Sequence, residues 1–364
     1  MMADAPVLIM AGGTGGHVFP ALAVASVLRE RDVPVVWLGT RRGLEARVVP
    51  AAGIPMEWLD VTGLRGKGWL DRLLAPARLL LAGYQALRVL RRVRPRTVLG
   101  MGGFVSGPGG LVARLLGRPL VIHEQNSVAG LTNRLLAPLA ARVLTAFPDC
   151  FPGRCVQQVG NPVRAEIAAL PPPERRMADH AGPMRLLVLG GSLGALALNE
   201  TVPEALARIP AERRPKVWHQ AGERTLEQAR DAYARAGVEV ELTAFIDDMA
   251  GAYAWADLVI CRAGALTVAE LTAAGLPSLL VPYPHAVDDH QTGNARYLHE
   301  AGAALLIPQS DLEAESLAAR LLELSDDRPR LAAMAARARA LALPEAARDV
   351  AEACLAVALK EGER

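Results

Sequence analysis

A short apolar run that enters a glycine-rich turn and leaves it as a helix occurs twice in this chain, once near its start and once near its middle. Val7–Met10 leads into Ala11–His17, Pro20 stands where a helix would begin, and the apolar stretch Ala21–Leu28 follows. Leu186–Leu189 leads into Gly190–Ala195, and a helix is expected from Leu196 onward. A strand that turns directly into a helix opens a βαβ unit, because parallel strands need a crossover that packs back on the sheet. Further strand candidates alternate with helical patterns: Val33–Leu38, Thr97–Met101, Leu120–His123 and Val143–Ala146, then Lys216–His219, Val238–Leu242, Leu258–Cys261 and Ser278–Val281. At 364 residues there is room for two cores. The expected fold is α/β, two Rossmann-like doubly wound domains facing across a cleft. Asn161-Pro162, Pro171-Pro172-Pro173 and Gly182-Pro183 read as linker punctuation. They divide the chain into residues 1–162 and 163–364, with the last helix expected to pack back on the first domain.

Composition removes several classes. With 51% hydrophobic and 21% charged residues, intrinsic disorder is excluded. The four cysteines, Cys150, Cys155, Cys261 and Cys354, form no CxxC pair, so neither a disulfide scaffold nor a zinc site is expected. Ala5–Leu28 carries no formal charge, but its glycines and prolines do not suit a spanning helix, and Asp4 stands where a signal peptide needs a basic start. Net charge is uneven: 19 basic and 9 acidic residues up to position 160 give +10, and 21 and 29 after it give −8. A basic half implies an anionic partner.

Glycines at a strand–helix turn let backbone N–H groups approach phosphate oxygens, and the helix N-terminus adds partial positive charge. Gly12–His17 is not the dinucleotide fingerprint, since Val18 stands where its third glycine falls, although Arg41 and Arg42 after the second strand would suit the 2′-phosphate of NADP. Gly190-Gly191-Ser192-Leu193-Gly194 also matches the nucleophile elbow of α/β-hydrolases, with Asp257, His285 and His290 downstream. As a phosphate loop, the same turn would let Ser192 donate its hydroxyl to a diphosphate. No Asp-x-Asp pair is present to hold a metal on that diphosphate, so helix dipoles, hydroxyls and an arginine would stabilise its charge.

Seven segments then carry a specific resemblance. Gly12–Ala21 reads GGTGGHVFPA, Gly100–Gly110 reads GMGGFVSGPGG, and His123–Asn126 reads HEQN. GNPVR at Gly160–Arg164, GGSLGA at Gly190–Ala195, FIDDM at Phe245–Met249 and RAGALTVAEL at Arg262–Leu271 follow. Their order and spacing resemble the peptidoglycan N-acetylglucosaminyltransferases, the MurG family, from end to end. The resemblance implies a GT-B fold, with an acceptor- and membrane-facing first domain and a UDP-sugar-binding second. It implies inverting, metal-independent transfer of N-acetylglucosamine from UDP-N-acetylglucosamine to lipid I, the muramoyl-pentapeptide on undecaprenyl diphosphate, giving lipid II. No cofactor is implied, and the protein would sit on the cytoplasmic face of the plasma membrane.

Carried over residue by residue, the resemblance gives Thr14, Gly15 and Gly16 to the first donor loop, with Asn126 and Arg164 reaching the donor. Ser192 belongs to the diphosphate loop, Ile246 sets its backbone against uracil, and Ala265, Leu266, Thr267, Val268, Ala269 and Glu270 wrap the diphosphate and ribose. Gln291 contacts the sugar. Glu270 suits its place because a carboxylate can accept from both ribose hydroxyls. Leu193 departs from the glutamine usual in the family's GGSQGA, which removes a side-chain contact but not the backbone amides.

Inversion needs a base at the acceptor hydroxyl. His17, at the end of the first glycine loop, is the first candidate, and Glu124 the second, with His123 beside it. Adjacent residues on an extended segment face opposite ways, so at most one of His123 and Glu124 is expected to face the cleft. A lipid-linked acceptor also requires a membrane contact. Residues 64–96 hold nine basic residues (Arg65, Lys67, Arg72, Arg78, Arg88, Arg91, Arg92, Arg94, Arg96) against one acid, Asp71. Interleaved are Trp69, Leu70, Leu73, Leu74, Leu79, Leu80, Leu81 and Tyr84, a pattern that suits an anionic bilayer surface. The absence of a nucleic-acid-binding motif points away from that partner.

Overall fold

The computed structural model describes residues 5–60, 69–178, 182–191 and 194–362. The chain divides into two compact units, Met1–Arg164 with Leu343–Arg364, and Ala165–Ala342.

The first unit is built on seven parallel strands: β1 Val7–Met10, β2 Val35–Gly39, β3 Met56–Trp58, β4 Thr97–Gly100, β5 Leu120–Glu124, β6 Arg142–Thr145 and β7 Gln157–Gln158, in the order β3-β2-β1-β4-β5-β6-β7. The central strands β1 and β4 are buried along their whole length, as strands covered by helices on both faces must be. Side chains alternate between those faces. Val7 and Ile9 pack with Val18, Val24 and Leu28, while Leu8 and Met10 pack with Ala86, Val89 and Leu90. The helix Ala346–Gly362 joins the first of these layers through Val350, Ala351, Cys354 and Val357, a stripe at helical spacing. Buried Thr97 donates its hydroxyl to the Cys354 carbonyl at 2.8 Å, which ties that helix to β4.

The second unit carries six parallel strands: β8 Arg185–Leu189, β9 Lys216–Gln220, β10 Glu241–Thr243, β11 Leu258–Cys261, β12 Ser278–Leu280 and β13 Ala304–Leu306, in the order β10-β9-β8-β11-β12-β13. Pro171–Pro173 lies within the second unit. Short helices, Ala165–Ala168 and Pro173–Ala178, flank it and pack on the helices Ala265–Ala274 and Arg328–Ala340. Arg176 donates to the carbonyls of Ala274 (2.6 Å) and Gly275 (3.0 Å), where the helix dipole favours a cation.

Three differences from the sequence reading have physical causes. The first helix starts at Gly15, not at Pro20, because Thr14 is extended and caps it, so the second half of the glycine loop is its first turn. The strand expected from Val238 begins at Glu241. Gly237 closes the preceding helix Leu226–Ala236 in the left-handed region (φ 61°), and the Val238 N–H returns to the Tyr233 carbonyl at 3.3 Å. Short strands β3, β7 and β13 were not expected; with two or three residues each, they show no usable periodicity. Among the described residues no helix is long and apolar enough to cross a membrane.

Candidate functional site

Both sheets reverse their strand order at one place, between β1 and β4 in the first unit and between β8 and β11 in the second. In doubly wound sheets ligands bind outside the carboxyl ends of the strands at such a point. The glycine-rich segments stand there.

In the first unit the loop after β1 runs through Gly12 and Gly13 (φ 98°), and the loop after β4 through Gly102 (φ 88°) and Gly103 (φ 80°). A Cβ on Gly103 would lie 2.6 Å from the Gly12 carbonyl oxygen, so the two loops touch backbone to backbone. Beneath them lies a carboxylate that the sequence reading missed. Glu45 is fully buried; its Oε2 accepts from the Gly13 N–H at 3.0 Å, and its Oε1 from the Thr40 N–H (2.9 Å) and hydroxyl (2.7 Å). Gly12, Gly39 and Gly43 all border Glu45, each with less than 3 Å between its would-be Cβ and that side chain. Its nearness in sequence to Gly39 and Gly43 was the available signal. Arg41 lies over the Trp58 ring, 5.1 Å from its centroid.

His17 lies in the first turn of helix Gly15–Glu30, half-buried. Its Nδ1 is 2.9 Å from Gln125 Oε1, and Gln125 Nε2 is 3.2 Å from His123 Nδ1. His123 is completely buried, its Nε2 is 2.9 Å from the Gly160 carbonyl, and burial pushes it down to about 4. Thr14 is exposed and Gly15 and Gly16 are half-buried around His17.

Glu124 differs from the expectation of a second base. It is 2% exposed; Oε1 accepts from the Asn126 N–H (3.0 Å) and Oε2 from the Gly130 N–H (3.0 Å) and Asn133 Nδ2 (2.9 Å). A carboxylate so enclosed, with both oxygens bonded within the turn after β5, holds that turn together. His123 is buried as well, so neither neighbour faces outward. Asn126 is half-buried on the same turn, and Arg164, also half-buried, closes the first unit.

In the second unit Ser192 and Leu193 lie outside the described residues. The residues on either side are held: Gly190 donates to the Gln220 carbonyl at 2.9 Å, and a Cβ on Gly194 (φ 82°) would strike Thr225 Oγ1. Past β11, Gly264 is extended and caps helix Ala265–Ala274. The N–H groups of Ala265, Leu266 and Thr267 meet no acceptor among the described residues, and the first intrahelical bond is Val268 N–H to the Gly264 carbonyl at 2.9 Å. Helix His290–Glu300 fixes that corner from the side. Gln291 Oε1 accepts from the N–H groups of Ala263 (3.2 Å) and Tyr283 (3.0 Å), and Asn294 Nδ2 donates to the Ala263 carbonyl (3.0 Å). Both bonds use the amide oxygen of Gln291, and neither uses its NH2 group.

Leu266, Thr267 and Ala269 are half-buried along the helix, while Ala265, Val268 and Glu270 are buried. Glu270 Oε2 accepts from the Tyr253 hydroxyl at 2.9 Å, a partner not foreseen because tyrosine and glutamate are seventeen residues apart on different helices. Ile246 is 4% exposed, so its side chain belongs to the core and only its backbone can serve a ligand. Asp257 precedes β11 and accepts from the Arg185 N–H at 2.8 Å, at the amino end of the sheet. It therefore cannot join Ser192 and the histidines after β12 in a hydrolase triad. Among the described residues no three His, Cys, Asp or Glu side chains gather as a metal site.

The glycosyltransferase family 28 N-terminal domain matches residues 7–145, and the family's C-terminal domain matches residues 185–352. A UDP-N-acetylglucosamine–N-acetylmuramyl-(pentapeptide) pyrophosphoryl-undecaprenol N-acetylglucosamine transferase of Alkalilimnicola ehrlichii is 65% identical, over 96% of this chain and 98% of that protein. The protein of the same name from Nitrosococcus oceani is 60% identical, over 97% and 98%. Among solved structures, MurG of Acinetobacter baumannii superposes with a TM-score of 0.85 at 42% identity, covering 97% of this chain and 99% of that one.

Proposed function

Because the chain belongs to glycosyltransferase family 28, among the N-acetylglucosamine transferases of that family, we propose that it makes lipid II for peptidoglycan synthesis. N-acetylglucosamine passes from UDP-N-acetylglucosamine to the 4-hydroxyl of the muramoyl-pentapeptide on undecaprenyl diphosphate (lipid I). The anomeric configuration inverts, and no catalytic metal takes part.

The observation that carries this reading is the N-terminus of helix Ala265–Ala274 at the switch point of the second sheet, with Glu270 in its second turn. The three open N–H groups at Ala265–Thr267 and the helix dipole receive the diphosphate. Glu270, oriented by Tyr253, accepts from the ribose. The resemblance supplies Ser192 and Arg164 as further diphosphate contacts, the Ile246 backbone for uracil and Gln291 for the sugar. The acceptor oxygen attacks C1 of the sugar, its proton passes to a ring nitrogen of His17, and the C1–O bond to UDP breaks with its electron pair leaving on the diphosphate. The helix N-terminus stabilises that charge as it forms.

We also place the acceptor's membrane on the first unit. Of residues 64–96, positions 64–68, with Arg65 and Lys67, and the side chains of 69–75 lie outside the description. Beyond them Leu80 is 77% exposed and Tyr84 58% on helix Trp69–Val93. Helix Ser106–Leu115 packs beside it and exposes Leu115 (75%); helix Leu131–Leu136 packs next and exposes Leu135 (66%). Arg88, Arg91, Arg114 and Arg134 stand exposed among these leucines, a pairing that suits an anionic bilayer and a peripheral place on its cytoplasmic face.

UDP release is the test, measured with and without lipid-linked muramoyl-pentapeptide and in the presence of EDTA. Release that requires the acceptor and survives EDTA is expected, with Glu270→Ala raising the donor KM. Equal release without acceptor would make the protein a hydrolase or epimerase instead.

A further inference from the structure

We propose that Gln125 is a positioning residue that dictates which ring nitrogen of His17 is bare, as the centre of a hydrogen-bond relay anchored on the Gly160 carbonyl. The inference rests on the reading of His17 as the base.

The relay can be solved from its fixed end. The Gly160 carbonyl only accepts, so His123 Nε2, at 2.9 Å, carries a hydrogen. His123 is fully buried and neutral at ordinary pH, which leaves its Nδ1 an acceptor. One end of the Gln125 amide lies 3.2 Å from that Nδ1 and 3.3 Å from the His123 carbonyl. Both are acceptors, so this end is the NH2 group; a flipped amide would set its oxygen against two lone pairs. The amide oxygen therefore points to His17 Nδ1 at 2.9 Å, and it can only accept. His17 Nδ1 thus carries the hydrogen, and Nε2 is the bare nitrogen of the neutral ring.

The surroundings hold this order in place. Gln125 is 1% exposed and cannot rotate without breaking both bonds. His17 lies flush on Gly102, where a Cβ would stand 2.9 Å from its Cε1 and 3.0 Å from its Nδ1. The anchor is fixed as well. Gly160 (φ 87°) donates to the Thr145 carbonyl at 3.3 Å, and a Cβ there would be 2.5 Å from Leu343 Cβ. An imidazole free in water favours the Nε2–H form, which has no lone pair at the outer nitrogen. The relay reverses that preference before substrate arrives.

The test is the tautomer, read by long-range 1H–15N correlation on the full chain labelled at histidine, with His17 assigned by its loss in His17→Ala. The wild-type protein is expected to show a protonated Nδ1 and a bare Nε2. Gln125→Met, close in shape but without an acceptor, should return His17 toward Nε2–H and lower kcat ~10- to 100-fold at unchanged donor KM. An Nε2–H tautomer in the wild type, or an unchanged tautomer in Gln125→Met, overturns the proposal. The wild-type spectrum decides even where a variant fails to fold. If His17→Ala keeps its kcat, the base reading falls instead, while the tautomer still reports on the relay.

Discussion

Replacing Glu45 by glutamine changes two atoms' chemistry and almost no volume, so its effect isolates the buried carboxylate under the first glycine loop. Glu45 accepts three hydrogen bonds, from the Gly13 N–H and from the N–H and hydroxyl of Thr40. Glutamine can keep the two from Thr40, with their charge assistance lost, but it sets an NH2 group against the Gly13 N–H. Losing that bond and the charge assistance on the other two costs about 2–3 kcal/mol. Gly13 is exposed, so water takes its N–H, while the glutamine NH2, as buried as the carboxylate, faces no acceptor and sets the loss at the upper end of that range. For a unit of this size the loss corresponds to a fall in Tm of ~5–10 °C. Thermal unfolding of the full chain reads the midpoint, and hydrogen exchange of peptides spanning Gly13 and Thr40 reads the site. Exchange at both amides should quicken, and kcat should fall, because His17 stands four residues beyond Gly13. An unchanged midpoint with unchanged exchange at these two amides would refute the claim that the carboxylate holds the loop.

Two further outcomes are expected. Leu80→Ser with Leu115→Ser removes two exposed side chains from the proposed membrane face, each contributing about 1 kcal/mol or more on insertion. Binding to vesicles rich in anionic lipid should weaken ~30-fold, with turnover of a short-chain, water-soluble acceptor unchanged. Equal vesicle binding would remove this face from consideration. Stability should also depend on pH through His123 and His219, which burial pushes down to about 4 and about 3. The unfolded chain binds protons near 6.5 while the folded chain does not, so stability is full above 6.5 and declines as pH falls below it, by up to ~1.4 kcal/mol per pH unit for each histidine. Urea midpoints between pH 6.5 and 5 measure the slope, and His219→Gln should flatten it for the second unit; an unaltered slope in that variant would contradict the assignment.

The strands that position the site were legible because they are buried on both faces and read as unbroken apolar runs. Leu258–Cys261 coincides with its strand, and Val7–Met10 does too. Short edge strands such as Gln157–Gln158 have no such pattern and emerge only from pairing with a neighbour. Site residues split along the same line. Glycines with positive φ and the helix after Arg262 announce themselves locally, whereas side chains whose role depends on a distant partner do not. Glu45, Tyr253 and Gln125 are of this second kind: each is ordinary in its own segment and acquires its part through a bond to another element. Glu124 shows the converse. A glutamate beside a histidine looked like a base, and the enclosing turn, visible only once Asn133 and Gly130 are brought back to it, commits its oxygens elsewhere.

Reading both glycine loops as phosphate cradles treats the two units alike, and their electrostatics separate them. In each, a helix starts at the switch point and presents its positive end. In the first unit the chain supplies its own anion there: Glu45 holds the Gly13 amide two residues before the helix begins. A diphosphate approaching that loop would meet a fixed negative charge, while a sugar hydroxyl would not. In the second unit the described residues place no carboxylate on the amides of Ala265–Thr267, and the nearest acid of the helix, Glu270, is turned toward Tyr253. An anion is therefore favoured at one helix and disfavoured at the other, although topology and glycine content are shared. On the proposed reading this difference suits the second unit to the UDP and the first to the neutral acceptor hydroxyl. It follows from a single buried glutamate, which makes Glu45→Gln informative about specificity as well as stability: with the charge removed, free UDP should inhibit more strongly by gaining a second, weaker site. Inhibition by UDP that remains single-site and unchanged in strength would show that the carboxylate does not perform this exclusion.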